Sequence, residues 1–139
     1  MKYKFLEHTA DIKFQSYGKT IEKAFENSAY ALQEVMTKKI KINPVIKKKI
    51  EVKGRDKEAL LYNFLEEFLF LLDSGGFVLS KIRNIKIKEK SGRYELKAEI
   101  MGDRVNNYSF TNNVKAITYN SMFVKKDEKV YICQVVVDV

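Results

Sequence analysis

Val130-Tyr131-Ile132-Cys133-Gln134-Val135-Val136-Val137 carries apolar side chains at odd and even positions alike, interrupted only by Gln134. A strand with one wet face alternates, so this one is covered on both faces and belongs inside a sheet. The charged turn Lys125-Lys126-Asp127-Glu128-Lys129 precedes it, and Val114 to Phe123 lies before that turn as its hairpin partner. A second hairpin is expected where Ile85-Lys86-Ile87-Lys88 and the alternating Tyr94, Leu96, Ala98, Ile100 flank Ser91-Gly92. Ile46, Ile50 and Val52 alternate with lysines, the pattern of a protected edge strand. Ile12, Phe14 and Ser16 alternate with Lys13, Gln15 and Tyr17 as a further strand.

Two helices stand apart from these strands. From Thr20 to Met36 the apolar residues Ile21, Ala24, Phe25, Ala29, Leu32 and Met36 follow three- and four-residue spacing. Thr20 is placed to cap the first turn, and Glu22 sits at the positive end of the helix dipole. The second helix runs from about Asp56, an N-cap residue, to Asp73, and Gly75-Gly76 stops it. Leucines and phenylalanines from Leu60 to Leu72 cover well over half of its circumference, which predicts a buried spine. Paired strands with separate helices give an α+β fold: two helices packed on a largely antiparallel β-sheet system.

The chain has 139 residues, 45% hydrophobic and 32% charged, which fits one globular domain over 1–139 and excludes disorder. One proline, Pro44, and no linker, internal repeat or low-complexity tract mark its length. No apolar run reaches the ~20 residues of a membrane span, and the start is too short in apolar residues for a signal peptide. The single cysteine, Cys133, permits neither an internal disulfide nor a cysteine zinc cluster and reads as a buried, inert thiol. A cytoplasmic location without membrane attachment is the expectation.

The formal charge is +8, from 26 basic and 18 acidic residues. Arg55, Arg83, Arg93 and Arg104 are the only arginines, and the other basic residues are lysines. Arginine forks onto phosphates and bases, whereas lysine is a solvated point charge. This balance argues against sequence-specific reading of RNA and leaves room for an electrostatic attraction to an RNA-bound partner.

Chemistry concentrates at the two ends of the chain. Glu7-His8-Thr9-Ala10-Asp11 reads either as a turn, with Asp11 or Thr9 bonding to nearby amides, or as a ligand cluster. His8 is the only histidine, and no Ser-His-Asp or Cys-His arrangement is apparent. The last strand runs straight into Asp138-Val139, which sets a side-chain carboxylate beside the chain-terminal one. Such a pair is either simply solvated or is relieved by a hard divalent cation. Lys115 shares a strand face with Ile117 and Tyr119; it either snorkels past them to water or is held to contact a phosphate or a partner's acidic group.

Four segments together resemble the archease family: Phe5-Leu6-Glu7-His8-Thr9-Ala10-Asp11-Ile12, Leu60 to Asp73, Val114-Lys115-Ala116-Ile117-Thr118-Tyr119-Asn120, and Val135-Val136-Val137-Asp138-Val139. They occur in family order and span nearly the whole chain. The resemblance implies an accessory protein for an RtcB-type RNA ligase, the enzyme that rejoins tRNA halves in splicing. Such a protein promotes the ligase–GMP intermediate, sustains multiple turnover and broadens the ligase's use of nucleotides. By motif match Asp11, Asp138 and the terminal carboxylate of Val139 correspond to the family's metal-binding acids, and Lys115 to its functional lysine. The family commonly has His after Thr-Tyr; Asn120 stands there instead, so no histidine role carries over and His8 is not a substitute.

With the resemblance, the two acidic ends become one expected site for a divalent metal ion (Ca²⁺, or Mg²⁺ or Mn²⁺) with no catalytic residue. The expected partner is the ligase, and tRNA is reached indirectly through it. Two alternatives use the same features: a small metal-dependent phosphoester hydrolase, and a basic RNA-binding or chaperone-like module.

Overall fold

The computed structural model describes residues 1–8 and 10–139. Its elements are β1 (Tyr3–Leu6), β2 (Ile12–Gly18), α1 (Ile21–Thr37), β3 (Ile46–Gly54), α2 (Lys57–Asp73), β4 (Phe77–Lys90) and β5 (Arg93–Arg104). A 3-10 turn (Val105–Asn107), β6 (Ala116–Asp127) and β7 (Val130–Asp138) complete the chain. The strands form two antiparallel sheets, ordered β1-β2-β7-β6 and β3-β5-β4. The α+β fold read from the sequence is the fold observed. Among the described residues no helix is long and apolar enough to cross a membrane.

β7 lies between β2 and β6, and Cys133, Val135, Val136 and Val137 are fully enclosed there. Burial pushes the Cys133 thiol up to about 12, so the sulfur stays protonated and inert. Gln134, the polar exception, is buried but satisfied: its Nε2 donates to Ser121 O at 2.7 Å and its Oε1 accepts from Gln15 Nε2 at 2.8 Å. Each helix bridges the two sheets, α1 against β2 and β4, α2 against β3 and β6. Leu60, Leu61, Phe64 and Leu65 of α2 have no exposed surface, and each such side chain contributes about 1.5–3 kcal/mol.

Both helices begin in the same way, although the sequence shows no repeat. Gly18-Lys19-Thr20 leads into α1 and Gly54-Arg55-Asp56 into α2. Thr20 Oγ1 accepts from Lys23 N at 3.1 Å, and Asp56 Oδ1 accepts from Ala59 N at 2.7 Å. A Cβ on Gly18 would lie 2.7 Å from the Lys23 carbonyl carbon, and one on Gly54 would lie 2.7 Å from Leu60 Cα. Each strand end therefore passes directly beneath the first turn of its helix, and only a glycine fits there.

Two boundaries differ from the sequence reading. β4 begins at Phe77, well before Ile85, because its register shifts between Leu79 and Lys81 and again between Arg83 and Lys86. These irregularities break the two-residue period by which a strand is recognised. β6 starts at Ala116 and continues to Asp127, so the charged turn shrinks to Glu128-Lys129, with Glu128 at φ 55°. The Ser91-Gly92 hairpin is as expected, both residues having positive φ, the mirror-type turn that suits twisted strands.

The connection from one sheet to the other is held by Asp103, buried at the end of β5. Its carboxylate accepts from Tyr108 Oη at 2.7 Å, Arg104 N at 2.8 Å and Asn107 Nδ2 at 3.1 Å. Tyr108 Oη in turn accepts from Asn43 N at 2.9 Å. The Tyr108 hydrogen bond, followed by that from Arg104, holds the Asp103 carboxyl below its usual range.

Gly54→Ala should destabilise the protein by about 1–3 kcal/mol, since the new methyl meets helix backbone and not a yielding side chain; chemical denaturation at neutral pH measures it. Asp103 predicts a pH signature. Its folded-state pKa is depressed, so its contribution is present above the unfolded value of about 3.9 and is lost as pH falls through the lower folded value. The gap in thermal midpoint between the parent and Asp103→Asn should be full at neutral pH and close on acidification. A gap independent of pH would mean the side chain acts by shape alone.

Candidate functional site

β2 and β7 pair antiparallel with Ile12 opposite Val137. Continued by one residue, this register sets Asp11 across from Asp138. β6 approaches β7 from the other side with Ala116 opposite Asp138, and Lys115 N donates to Asp138 O at 2.7 Å. The two ends of the chain thus meet on neighbouring strands, with the Lys115 segment alongside. Asp11 and Asp138 are both half-buried.

Strand alternation sorts these residues onto two faces. Phe14 and Ser16 of β2 and Val135 and Val137 of β7 point into the core, so Asp11 and Asp138, one step out of phase with them, share the opposite face. The side chain of Val139 packs against the core instead. It lines a groove of about 580 Å³ together with Ile12, Lys115 and, from the end of α1, Val35 and Lys38. Lys38 is the left-handed C-cap of α1, with φ 56°, and its amide donates to Glu34 O at 2.8 Å. Two lysines, Lys115 and Lys38, therefore flank the chain end on one face while two aspartates face each other on the other. No local pattern marks Lys38, because only the docking of α1 against the end of β7 makes it a neighbour.

Lys115 is exposed and stands just before β6, whereas the sequence reading expects it within the strand. Asn112 accounts for this: its Oδ1 accepts from Val114 N at 2.9 Å and turns the chain before pairing begins. Beyond it, Thr118 Oγ1 donates to Val136 O at 2.8 Å, and the β6 register is interrupted between Thr118 and Phe123. The interruption turns Tyr119 outward, 53% exposed, to stack on Tyr62 of α2 with ring centroids 4.3 Å apart and planes 6° from parallel. Asn120 is exposed within this bulge. The turn hydrogen bond considered for Thr9 lies outside the described residues.

Two carboxylates directly across a ladder repel each other. A hard cation would relieve that repulsion, and oxygen donors of this kind suit Ca²⁺, Mg²⁺ or Mn²⁺ and not a thiophilic metal. Among the described residues no three His, Cys, Asp or Glu side chains cluster as metal ligands. A site at this place consequently draws on two side chains, with further oxygens from the main chain, the terminal carboxylate or water. The donor chemistry fits a hard divalent ion.

The fold alone defines a class: a single α+β domain of two antiparallel sheets bridged by two helices. The Archease protein family (MTH1598/TM1083) matches residues 3–139. The archease of Methanosarcina barkeri is 38% identical over 140 residues, covering 99% of this chain and 96% of its own. That of Thermococcus kodakarensis is 41% identical over 127 residues, covering 90% of this chain and 89% of its own. The solution structure of Methanobacterium thermoautotrophicum protein 1598 superposes with a TM-score of 0.83 at 29% identity, covering 99% of both chains. The chain belongs to the archease family.

The facing aspartates make a prediction that needs no activity assay. In chelator, Asp138→Asn should leave the thermal midpoint unchanged or slightly higher, since it removes a like-charge pair worth about 0.2–1 kcal/mol. Added Ca²⁺ or Mn²⁺ should raise the midpoint of the parent and not of the variant, because an ion bound only to the folded state stabilises it. Equal metal response in both proteins would separate Asp138 from any ion site.

Proposed function

We propose that this protein is a non-catalytic activator of an RtcB-type RNA ligase in tRNA splicing, and that it works in the cytoplasm. The observation that carries the reading is that the β2–β7 pairing brings Asp11 near Asp138, with the Lys115 backbone bonded to Asp138, in a member of the archease family. Asp11, Asp138 and the carboxylate following Val139 would hold the divalent ion. When bound, that ion supplies neutralisation of the charge on a nucleoside triphosphate. Lys115, with Lys38 beside it on the groove, presents fixed positive charge to a phosphate or to an acidic group of the ligase. In this reading tRNA is reached through the ligase, as the ligase's substrate.

The activator reading separates from a hydrolase reading in one experiment. Ligase guanylylation is measured with and without this protein, and the protein alone is tested for metal-dependent phosphodiester cleavage. Activation without cleavage is expected; turnover by the protein alone would make it an enzyme. Lys115→Ala should impair activation yet leave metal affinity intact, because a cation is no ligand; unchanged activation returns Lys115 to a solvated role. A C-terminal tag should weaken both metal binding and activation, whereas an N-terminal tag should spare them. An amide carbonyl is a weaker donor than a carboxylate, and any extension must pass the ion. Equal behaviour of untagged, N-tagged and C-tagged protein would remove Val139 from the site.

A further inference from the structure

Much of the chain's positive charge gathers on the other sheet, away from the aspartates. In β5, Leu96, Ala98 and Ile100 face the core, so Arg93, Glu95, Lys97 and Glu99 face outward. Their register partners on β4 are Lys90, Lys88, Lys86 and Arg83, and on β3 Lys53, Glu51 and Lys49 lie opposite Glu95, Lys97 and Glu99. Two of these pairings set like charges directly across the ladder, Lys86 against Lys97 and Lys90 against Arg93. Cross-strand repulsion of this kind destabilises a sheet, and nothing in the core requires it. The acids relieve it only in part, at Lys97, which Glu51 faces across the ladder and Glu95 pairs with. Glu95 is already engaged by Lys97 at 3.4 Å and Glu99 by Lys47 at 3.0 Å, while among the described residues Lys86, Lys88 and Lys90 form no ion pair.

The shape of this face follows its charge. A depression around Lys49, Lys86 and Lys97 shares residues with a second around Lys88 and Lys90, and that one with a cleft of about 490 Å³ lined by Lys53, Arg55 and Arg93. The furrow follows β5 for about 20 Å, the rise of six strand residues. Three of the four arginines, Arg55, Arg83 and Arg93, lie along it or at its end, so the groups best suited to fork onto phosphate are concentrated here. No outward position on the three strands named above is aromatic, and Tyr94 lines only the cleft at the furrow's end beside Ala59 and Asn63 of α2, so no row of stacking platforms runs along the furrow.

We infer that the outer face of the β3-β5-β4 sheet binds the sugar-phosphate backbone of RNA without reading its sequence. The preference for RNA as the polyanion rests on the function proposed above; the attraction to phosphate does not. The face is remote in topology from the aspartate pair, which lies on the other sheet, so the protein holds an RNA strand with one sheet and presents its acids with the other.

The test uses the full chain without ligase. Binding of a labelled oligouridylate is followed across a salt series, beside circular dichroism to show that each variant is folded. Affinity should fall steeply with salt, with a log–log slope of about −0.7 per phosphate contacted. Lys86→Glu/Lys88→Glu/Lys90→Glu should weaken binding on the order of tenfold or more at low salt and reduce the slope by about 2, the share of three contacts. A control with the same change in net charge, Lys125→Glu/Lys126→Glu/Lys129→Glu on the β6–β7 hairpin, should retain most of the affinity. Equal loss in both triples would reduce the effect to net charge and overturn the assignment. So would salt-insensitive binding, or retention of poly-glutamate but not of oligouridylate, which would make the face a site for an acidic protein. Guanylylation of the ligase measured without RNA should be unaffected by the β4 triple, so failure of the activator reading registers in a different assay from failure of this one.

Discussion

β7 hydrogen-bonds to β2 on one side and β6 on the other, and that double pairing is the constraint from which the candidate site follows. The pairing to β2 brings residues from opposite ends of the chain into register from Ile12 and Val137 onward, and Asp11 and Asp138 are the next residues beyond that pair. The pairing to β6 adds the Lys115 segment, whose amide is bonded to the Asp138 carbonyl. The apolar content of β7 makes this arrangement rigid. Cys133, Val135, Val136 and Val137 are enclosed, and a one-residue slip would turn the core side chains outward and swap the face on which Asp138 sits. Positioning of the acids is thus a consequence of core packing rather than of loop conformation.

The two sheets carry opposite electrostatic problems. On β1-β2-β7-β6, two carboxylates face each other; on β3-β5-β4, lysines and an arginine do. Sequence-wide charge hides the first, because a +8 protein looks basic everywhere until its residues are assigned to faces. A hard cation would answer one conflict and a polyanion the other, and neither ligand would compete for the other's place. The Asp103 cluster shows by contrast how this fold treats an acid that only holds structure. Its bonds are made internally, to Tyr108, Arg104 and Asn107. The lysines of the β4 face have no such closure.

Sequence alone reaches the fold class, both helices with their caps, both hairpins and the central place of β7. Those features rest on local periodicity, turn chemistry or composition, each of which is written in consecutive residues. The early part of β4 is not legible because its register breaks abolish alternation, and Asn84 adopts φ 53° within one of them. The common entry into α1 and α2 is hidden because only a glycine, a basic residue and a cap recur, and their equivalence lies in the close approach of strand to helix. At the site, Asp11, Asp138 and Lys115 are legible as unusual residues at unusual places, yet their convergence is a property of sheet order. Lys38 and Tyr62 carry no signal at all, since each becomes a neighbour of the site only through helix docking.

The bulge in β6 shows how the interior sets the surface beside the site. Gln134 occupies the one polar position of an otherwise apolar strand, and a buried amide left unpaired would cost about 1–3 kcal/mol. Its Nε2 is satisfied by Ser121 O, a carbonyl within the stretch where β6 has lost its register, and Ser121 itself has φ 55°. Gln15 from β2 supplies the other half, and Tyr17 Oη donates to Gln15 Oε1 at 2.9 Å. The chain of side chains therefore runs from β2 through β7 to β6, across the strands whose ends carry Asp11, Asp138 and Lys115. By holding the bulge, it fixes the outward turn of Tyr119 and its stack on Tyr62, and so ties an exposed aromatic surface on α2 to the same three strands. A polar residue in the middle of the most apolar strand is, on this account, what couples the acid end of the sheet to its exposed aromatic neighbour.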